Sequence, residues 1–134
     1  MSRVCRLTVT PDTKHLAQLE ALIETSPAIP DNKRMNILII VTEMFDNIAE
    51  HALIPDGQSV TMEIKISKQN TIVTFIYKTK NFEELLEGVH TGRPHFDKNA
   101  KRYRGLGLIM SKNLSQKVKY KKSIFNTARL IFYV

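Results

Sequence analysis

Two hydrophobic periods divide the chain, and the switches between them mark its elements. Arg3 to Val9 alternates loosely, with Val4, Arg6 and Thr8 set against Cys5, Leu7 and Val9, and predicts a first strand. Thr10-Pro11-Asp12-Thr13 is a turn in which Asp12 or Thr13 is placed to cap a helix. Leu16, Leu19, Leu22 and Ile23 then keep helical spacing, so an amphipathic helix is expected from Lys14 to Thr25. Ser26-Pro27-Ala28-Ile29-Pro30 breaks it, and Asp31 or Asn32 is the expected cap of a long central helix from Lys33 to Ala52.

Beyond the turn Pro55-Asp56-Gly57 the period changes to two. Val60, Met62, Ile64 and Ile66 alternate with Thr61, Glu63, Lys65 and Ser67, as in a half-buried strand. Lys68-Gln69-Asn70 turns the chain and Thr71 to Tyr77 returns as a second strand. Lys78 to Asn81 is polar, and a short helical piece follows around Phe82 to Leu86. Gly88 to Arg104 has no period and reads as a long loop, a kind of segment that in compact domains is usually functional or mobile. A helix is expected from Gly105 to Leu114. Val118 to Ile124 and Ala128 to Val134 close the chain as a hairpin around Phe125-Asn126-Thr127. This order, with hairpins and helices that do not alternate, predicts a single α+β domain over 1–134. Its architecture would be a two-layer α/β sandwich, a mixed, mostly antiparallel sheet with helices on one face.

The central helix holds the densest chemistry. Placed at 100° per residue, Asp46, Asn47, Glu50 and His51 fall within about 80° of Glu43, and Ile39 and Ile40 lie on the same arc one turn earlier. The helix is apolar all round from Ile37 to Val41 and turns polar only from Glu43. A buried helix with a polar pocket at its C-terminal half has this pattern, and so does a core helix whose end emerges into water. A second cluster is Arg104-Gly105-Leu106-Gly107-Leu108, where two glycines permit close backbone approach and a helix start offers free N–H groups to phosphate. The loop before it carries Arg93, Lys98, Lys101, Arg102 and Arg104 against Asp97, the composition of a basic lid.

Bulk composition narrows the setting. At 134 residues the chain can build one real core. Cys5 is the sole cysteine, so no internal disulfide forms, no Cys/His spacing suggests zinc, and a reducing, cytoplasmic setting is expected. No apolar run is longer than Ile37 to Val41, which is too short to span a bilayer, and Arg3 and Arg6 interrupt any signal-peptide pattern. A net charge of +7 favours anionic partners. Nucleic acid is the weakest of these, because the basic residues lack aromatic interleaving beyond Tyr103 and Tyr120.

Glu43-x-x-x-Asn47-x-x-x-His51-Ala52 resembles the N-box of the histidine-kinase-like (GHKL) ATPases, and Arg104-Gly105-Leu106-Gly107-Leu108 resembles the second glycine box at the end of their ATP lid. Asn126-Thr127 is similar to the Gly-Thr that lies near the adenine pocket. Length, element order and box spacing are closest to the small branch of anti-sigma factors that are also protein serine kinases. The resemblance implies ATP and Mg²⁺ as cofactors. Glu43 would be the general base, and Asn47 would hold Mg²⁺. Arg104, Gly105, Leu106, Gly107, Leu108 and Thr127 would bind ATP. The implied partners are a sigma factor and an anti-anti-sigma factor, with a possible homodimer. His51 reads equally as a hydrogen-bonded structural residue or as a ligand, and Asp46 reads as a residue of the helix flank.

One box departs from the family pattern. The strand before the lid normally ends in an Asp-x-Gly-x-Gly/Pro box whose Asp binds the adenine amino group. Here Tyr77 stands at the Asp position and Thr79 at the first Gly position, with no carboxylate between Ile66 and Phe82. Gln116 stands where the second glycine box usually ends in an acid. A missing buried hydrogen bond weakens binding by roughly 1–3 kcal/mol. The departure therefore supports an alternative expectation, a non-catalytic protein-interaction module on the same fold.

Overall fold

The computed structural model describes residues 3–81, 95–97, 102–104, 114–115, 117–123 and 125–134. Strand β1 (Arg3–Val9) leads through a single 3-10 turn (Thr13–His15) into α1 (Leu16–Thr25) and then α2 (Asp31–His51). Strands β2 (Val60–Ile66) and β3 (Thr71–Lys78) follow. Next come two short strands, β4 (His95–Asp97) and β5 (Arg102–Arg104), and the terminal pair β6 (Lys117–Lys122) and β7 (Thr127–Tyr133).

Five strands form one sheet in the order β1-β2-β3-β7-β6. Every pairing in it is antiparallel, so the mixed sheet expected from sequence is corrected to a wholly antiparallel one among the described residues. The last strand sits inside the sheet, between β3 and β6. It is buried at every second residue, Ala128, Leu130 and Phe132, which an interior position demands. Val134 continues the ladder by donating its N–H to the Thr71 carbonyl at 2.8 Å.

The sheet has two unlike faces. Val60, Met62, Ile64, Val73, Phe75, Tyr77, Leu130 and Phe132 are buried and share one core with Leu19 and Ile23 of α1 and with Ile37, Ile40, Val41, Met44, Phe45 and Ile48 of α2. The helices thus cover one face. Each large side chain removed from water there contributes about 1.5–3 kcal/mol. The other face carries Arg6, Glu63, Lys65, Thr74 and Lys119, which the period-two pattern places outward.

Local chemistry explains the element ends. Asp12 caps the 3-10 turn, its Oδ1 accepting from the Lys14 N–H at 3.0 Å, as its place in the turn predicted. The cap expected at Asp31 or Asn32 is not used. Pro30 is the N-cap residue of α2 with no side-chain bond, and Asp31 is instead the first helical residue, an acid placed favourably against the helix dipole. Arg34 closes the preceding turn. Its guanidinium donates to the carbonyls of Ile23, Glu24, Ser26 and Ile29 and to Asp31 Oδ1, so one side chain satisfies acceptors left open where α1 ends.

Two other expectations change. The segment read as a structureless loop from Gly88 to Arg104 contains an antiparallel ladder, with His95 opposite Arg104, Phe96 opposite Tyr103 and Asp97 opposite Arg102. Three-residue strands are too short to show a period of two, which is why the sequence pattern missed them. The helical piece around Phe82 to Leu86 lies outside the described residues, as does the helix expected from Gly105 to Leu114, apart from Leu114 itself.

Candidate functional site

The site is best built outward from α2. The residues of this helix that enter the core (Ile37, Ile40, Val41, Met44, Phe45, Ile48) fall on one side of the helical wheel. The polar arc borders that side: Glu43, Asp46 and Asn47 are half-buried, and Glu50 and His51 at the helix end are exposed. Ile40, expected on the polar arc, is wholly buried and marks the boundary between the two. Glu43 and Asn47 stand one turn apart on the same flank, the i, i+4 relation that lets a carboxylate and an amide reach one point. At the helix end Glu50 Oε2 meets His51 Nε2 at 3.6 Å. Glu43, Asp46, Glu50 and His51 are each engaged by neighbouring groups, so the arc is an organised polar strip rather than a row of free side chains.

A polar latch fixes this helix end against the sheet. β3 continues its alternation beyond its last paired residue: Thr71, Val73, Phe75, Tyr77, Thr79 and Asn81 are all buried. Asn81 Nδ2 donates to the His51 carbonyl at 2.8 Å, while its Oδ1 accepts from the Leu53 N–H at 2.8 Å and from Thr79 Oγ1 at 2.7 Å. The Lys80 N–H reaches the Leu53 carbonyl at 3.1 Å. From sequence, 78–81 looked like a plain polar connection. The missed signal is the period of two running on through Thr79 and Asn81, with two small polar side chains at inward positions.

Tyr77, at the place where the resemblance puts an adenine-binding carboxylate, points inward. It is 2% exposed, and its hydroxyl is buried without a hydrogen-bond partner. Burial pushes the phenol well above its ordinary range by penalising the phenolate. Opposite it lies Ala128, the smallest residue of the inward row on β7, which leaves room for the ring. A hydroxyl sealed in this way offers no open partner to a ligand. Thr79, at the expected glycine position, is likewise closed by its bond to Asn81.

The terminal hairpin turns at Asn126. Asn126 has φ of 62°, the left-handed region that glycine enters freely and that asparagine tolerates best among the other residues. The Asn126 carbonyl accepts from the Thr79 N–H at 3.0 Å. Thr127 pairs with Lys78, one step from Tyr77 and Ala128. Strand alternation puts Thr127 on the sheet face opposite Tyr77, so these two candidate residues share a strand end but not a surface.

The backbone of Arg104 ends β5, and Gly105, Leu106, Gly107 and Leu108 lie outside the described residues. Among the described residues no cluster of three or more His, Cys, Asp or Glu side chains could hold a metal. A caged metal therefore has no home in them. The donor set does suit an Mg²⁺ that arrives on phosphate and keeps most of its waters, since such an ion needs only one or two protein oxygens, here the Asn47 amide. No helix among the described residues is long and apolar enough to cross a membrane. No protein-family model matches the chain, and no curated protein matches it.

Proposed function

We propose that the chain is an ATP-binding regulatory protein that resembles an anti-sigma factor with serine/threonine protein kinase activity. The observation that carries this reading is the half-buried pair Glu43 and Asn47, one turn apart on α2. In this reading Asn47 holds Mg²⁺, which when bound supplies positive charge for the phosphates. Glu43 accepts the proton of an attacking serine hydroxyl as its oxygen forms the new bond to phosphorus and ADP departs. Catalysis would then consist of positioning and charge stabilisation. The positive φ of Asn126 supports the same reading, because it restores a glycine-like backbone where the resemblance requires one.

A second reading is favoured by a specific observation. The Tyr77 hydroxyl is buried without a partner and Thr79 is bonded to Asn81, at the positions where the resemblance would put an adenine-binding box. On that basis the fold would serve as a protein-interaction module with Glu43 and Asn47 retained as polar flank residues.

Calorimetric titration of Mg-ATP into the wild type and Asn47→Ala separates the two. Magnesium-dependent binding that is lost in the variant supports the nucleotide reading, and phosphorylation of a serine-bearing protein partner then tests the kinase step. A folded protein that takes up no nucleotide at millimolar concentration excludes the first reading and leaves the second.

A further inference from the structure

The sheet face turned away from the helices has an order of its own. Across β3 and β7 it presents Ile72, Ile76, Ile131 and Tyr133, all half-buried, with Ile72 directly opposite Tyr133. Cations flank this apolar strip on both sides. Lys117, Lys119 and Lys121 line β6, and Lys65 stands on β2 beside Ile72. Arg129 and Lys78 close one end of the strip, on β7 and β3. Among the described residues of this face Glu63 is the only acid, and Arg6 already pairs with it. Six cations remain beyond that pair (Lys65, Lys78, Lys117, Lys119, Lys121 and Arg129), all exposed, against a formal net charge of +7 for the whole chain. Among the described residues this face is therefore strongly basic.

We propose that this outer face is a docking surface for an acidic amphipathic helix of another protein. The apolar strip is lined mainly by branched aliphatic side chains, which suit the apolar stripe of a helix with anchors at i, i+3 or i+4 and i+7. The lysine row of β6 on one side, with Lys65 on the other and Arg129 and Lys78 at one end, matches carboxylates flanking such a stripe. A second copy of this chain presenting the same face is disfavoured, because two sets of six cations would face each other. Single-stranded nucleic acid is a poorer match. Tyr133 is the sole aromatic of the strip, and Lys119 Nζ already lies 5.5 Å from its ring centroid, whereas base-stacking platforms use several open rings. The inference stands apart from the nucleotide reading, since none of these residues belongs to the helix-facing side.

The test is selection of short peptides from a random display library on the whole protein. Anisotropy titrations of the selected peptides on the wild type, on Lys119→Glu/Lys121→Glu and on Ile131→Asp then follow, with thermal melts to confirm folding. The expected peptides are acidic with helical apolar spacing, and both variants weaken them by about tenfold or more. Asn47→Ala leaves their affinity unchanged. Selected peptides that are neutral or basic, or that bind the folded variants as well as the wild type, overturn the proposal. Oligothymidylate and phosphatidylserine vesicles are titrated in parallel. Tighter binding of either through Lys119 and Lys121 overturns it in favour of nucleic acid or an anionic membrane.

Discussion

Asn81 donates its side-chain amide to the main-chain carbonyl of His51 at 2.8 Å and thereby ties the last residue of the long helix to the end of the central strand. With the bonds from Leu53 N–H and Thr79 Oγ1 it satisfies part-buried main-chain groups at the helix terminus and a buried hydroxyl. The polar flank of α2 is thus held in place from its C-terminal end, three residues beyond Ile48 of the core.

Asn81→Ala removes all three bonds at once. The expected loss is about 2–4 kcal/mol of folding stability, because the carbonyl, the N–H and the hydroxyl lose their partner together. Urea denaturation measures it. Thr79→Val, which removes only one bond of the set, should cost less, and equal losses would show that the other two bonds fail with it, so that the three act as a unit.

Tyr77→Phe removes a buried hydroxyl that has no partner. Stability should stay level or rise by up to about 1 kcal/mol at neutral pH, since nothing is left unsatisfied by the change. The pH dependence has a definite sign. Burial raises the folded-state pKa above the unfolded value near 10, so the native state resists ionisation. The stability linked to the neutral phenol is complete below about pH 10 and is lost as pH rises toward the folded-state value. Wild type should therefore lose more stability than Tyr77→Phe on alkaline titration, and parallel alkaline melting curves would refute the assignment.

Arg34 serves four carbonyls and a carboxylate from one planar group. Arg34→Met should destabilise the fold by about 2–3 kcal/mol, and Arg34→Lys should recover only a minor part, because an ammonium cannot reproduce the forked geometry. Thermal melts of the two variants against wild type decide this. Full rescue by lysine would mean that charge alone matters.

Asn126→Gly should be close to neutral, whereas Asn126→Val should cost about 1–2 kcal/mol, because a β-branched side chain strains a positive φ. Chemical denaturation of both variants distinguishes backbone strain from loss of the asparagine side chain, which is common to the two.

Glu43→Gln keeps the size and the hydrogen-bonding reach of the side chain but removes its basicity. Under the kinase reading it should retain Mg-ATP affinity within about threefold and lose phosphoryl transfer by about a hundredfold or more. Transfer at the wild-type rate would remove Glu43 from the chemistry.

Much of the framework was legible from residue order. Strict alternation in Val60 to Ile66 and Thr71 to Tyr77, and helical spacing in Leu16 to Ile23 and along α2, gave strands and helices within a few residues of those observed. These patterns are local, and each records which side of an element meets the core. The polar arc from Glu43 to His51 was visible for the same reason, as was the turn at Asn126. Sequence alone could not place β7 between β3 and β6 or make every pairing antiparallel, because strand order depends on contacts between segments far apart in the chain. Nor could it show that Tyr77 is sealed, that Asn81 closes the end of α2, or that the cations of β2, β3, β6 and β7 gather on one surface. Those facts arise only when separate strands come into register, where a period of two decides which face each side chain joins and the neighbouring strand decides what it meets there.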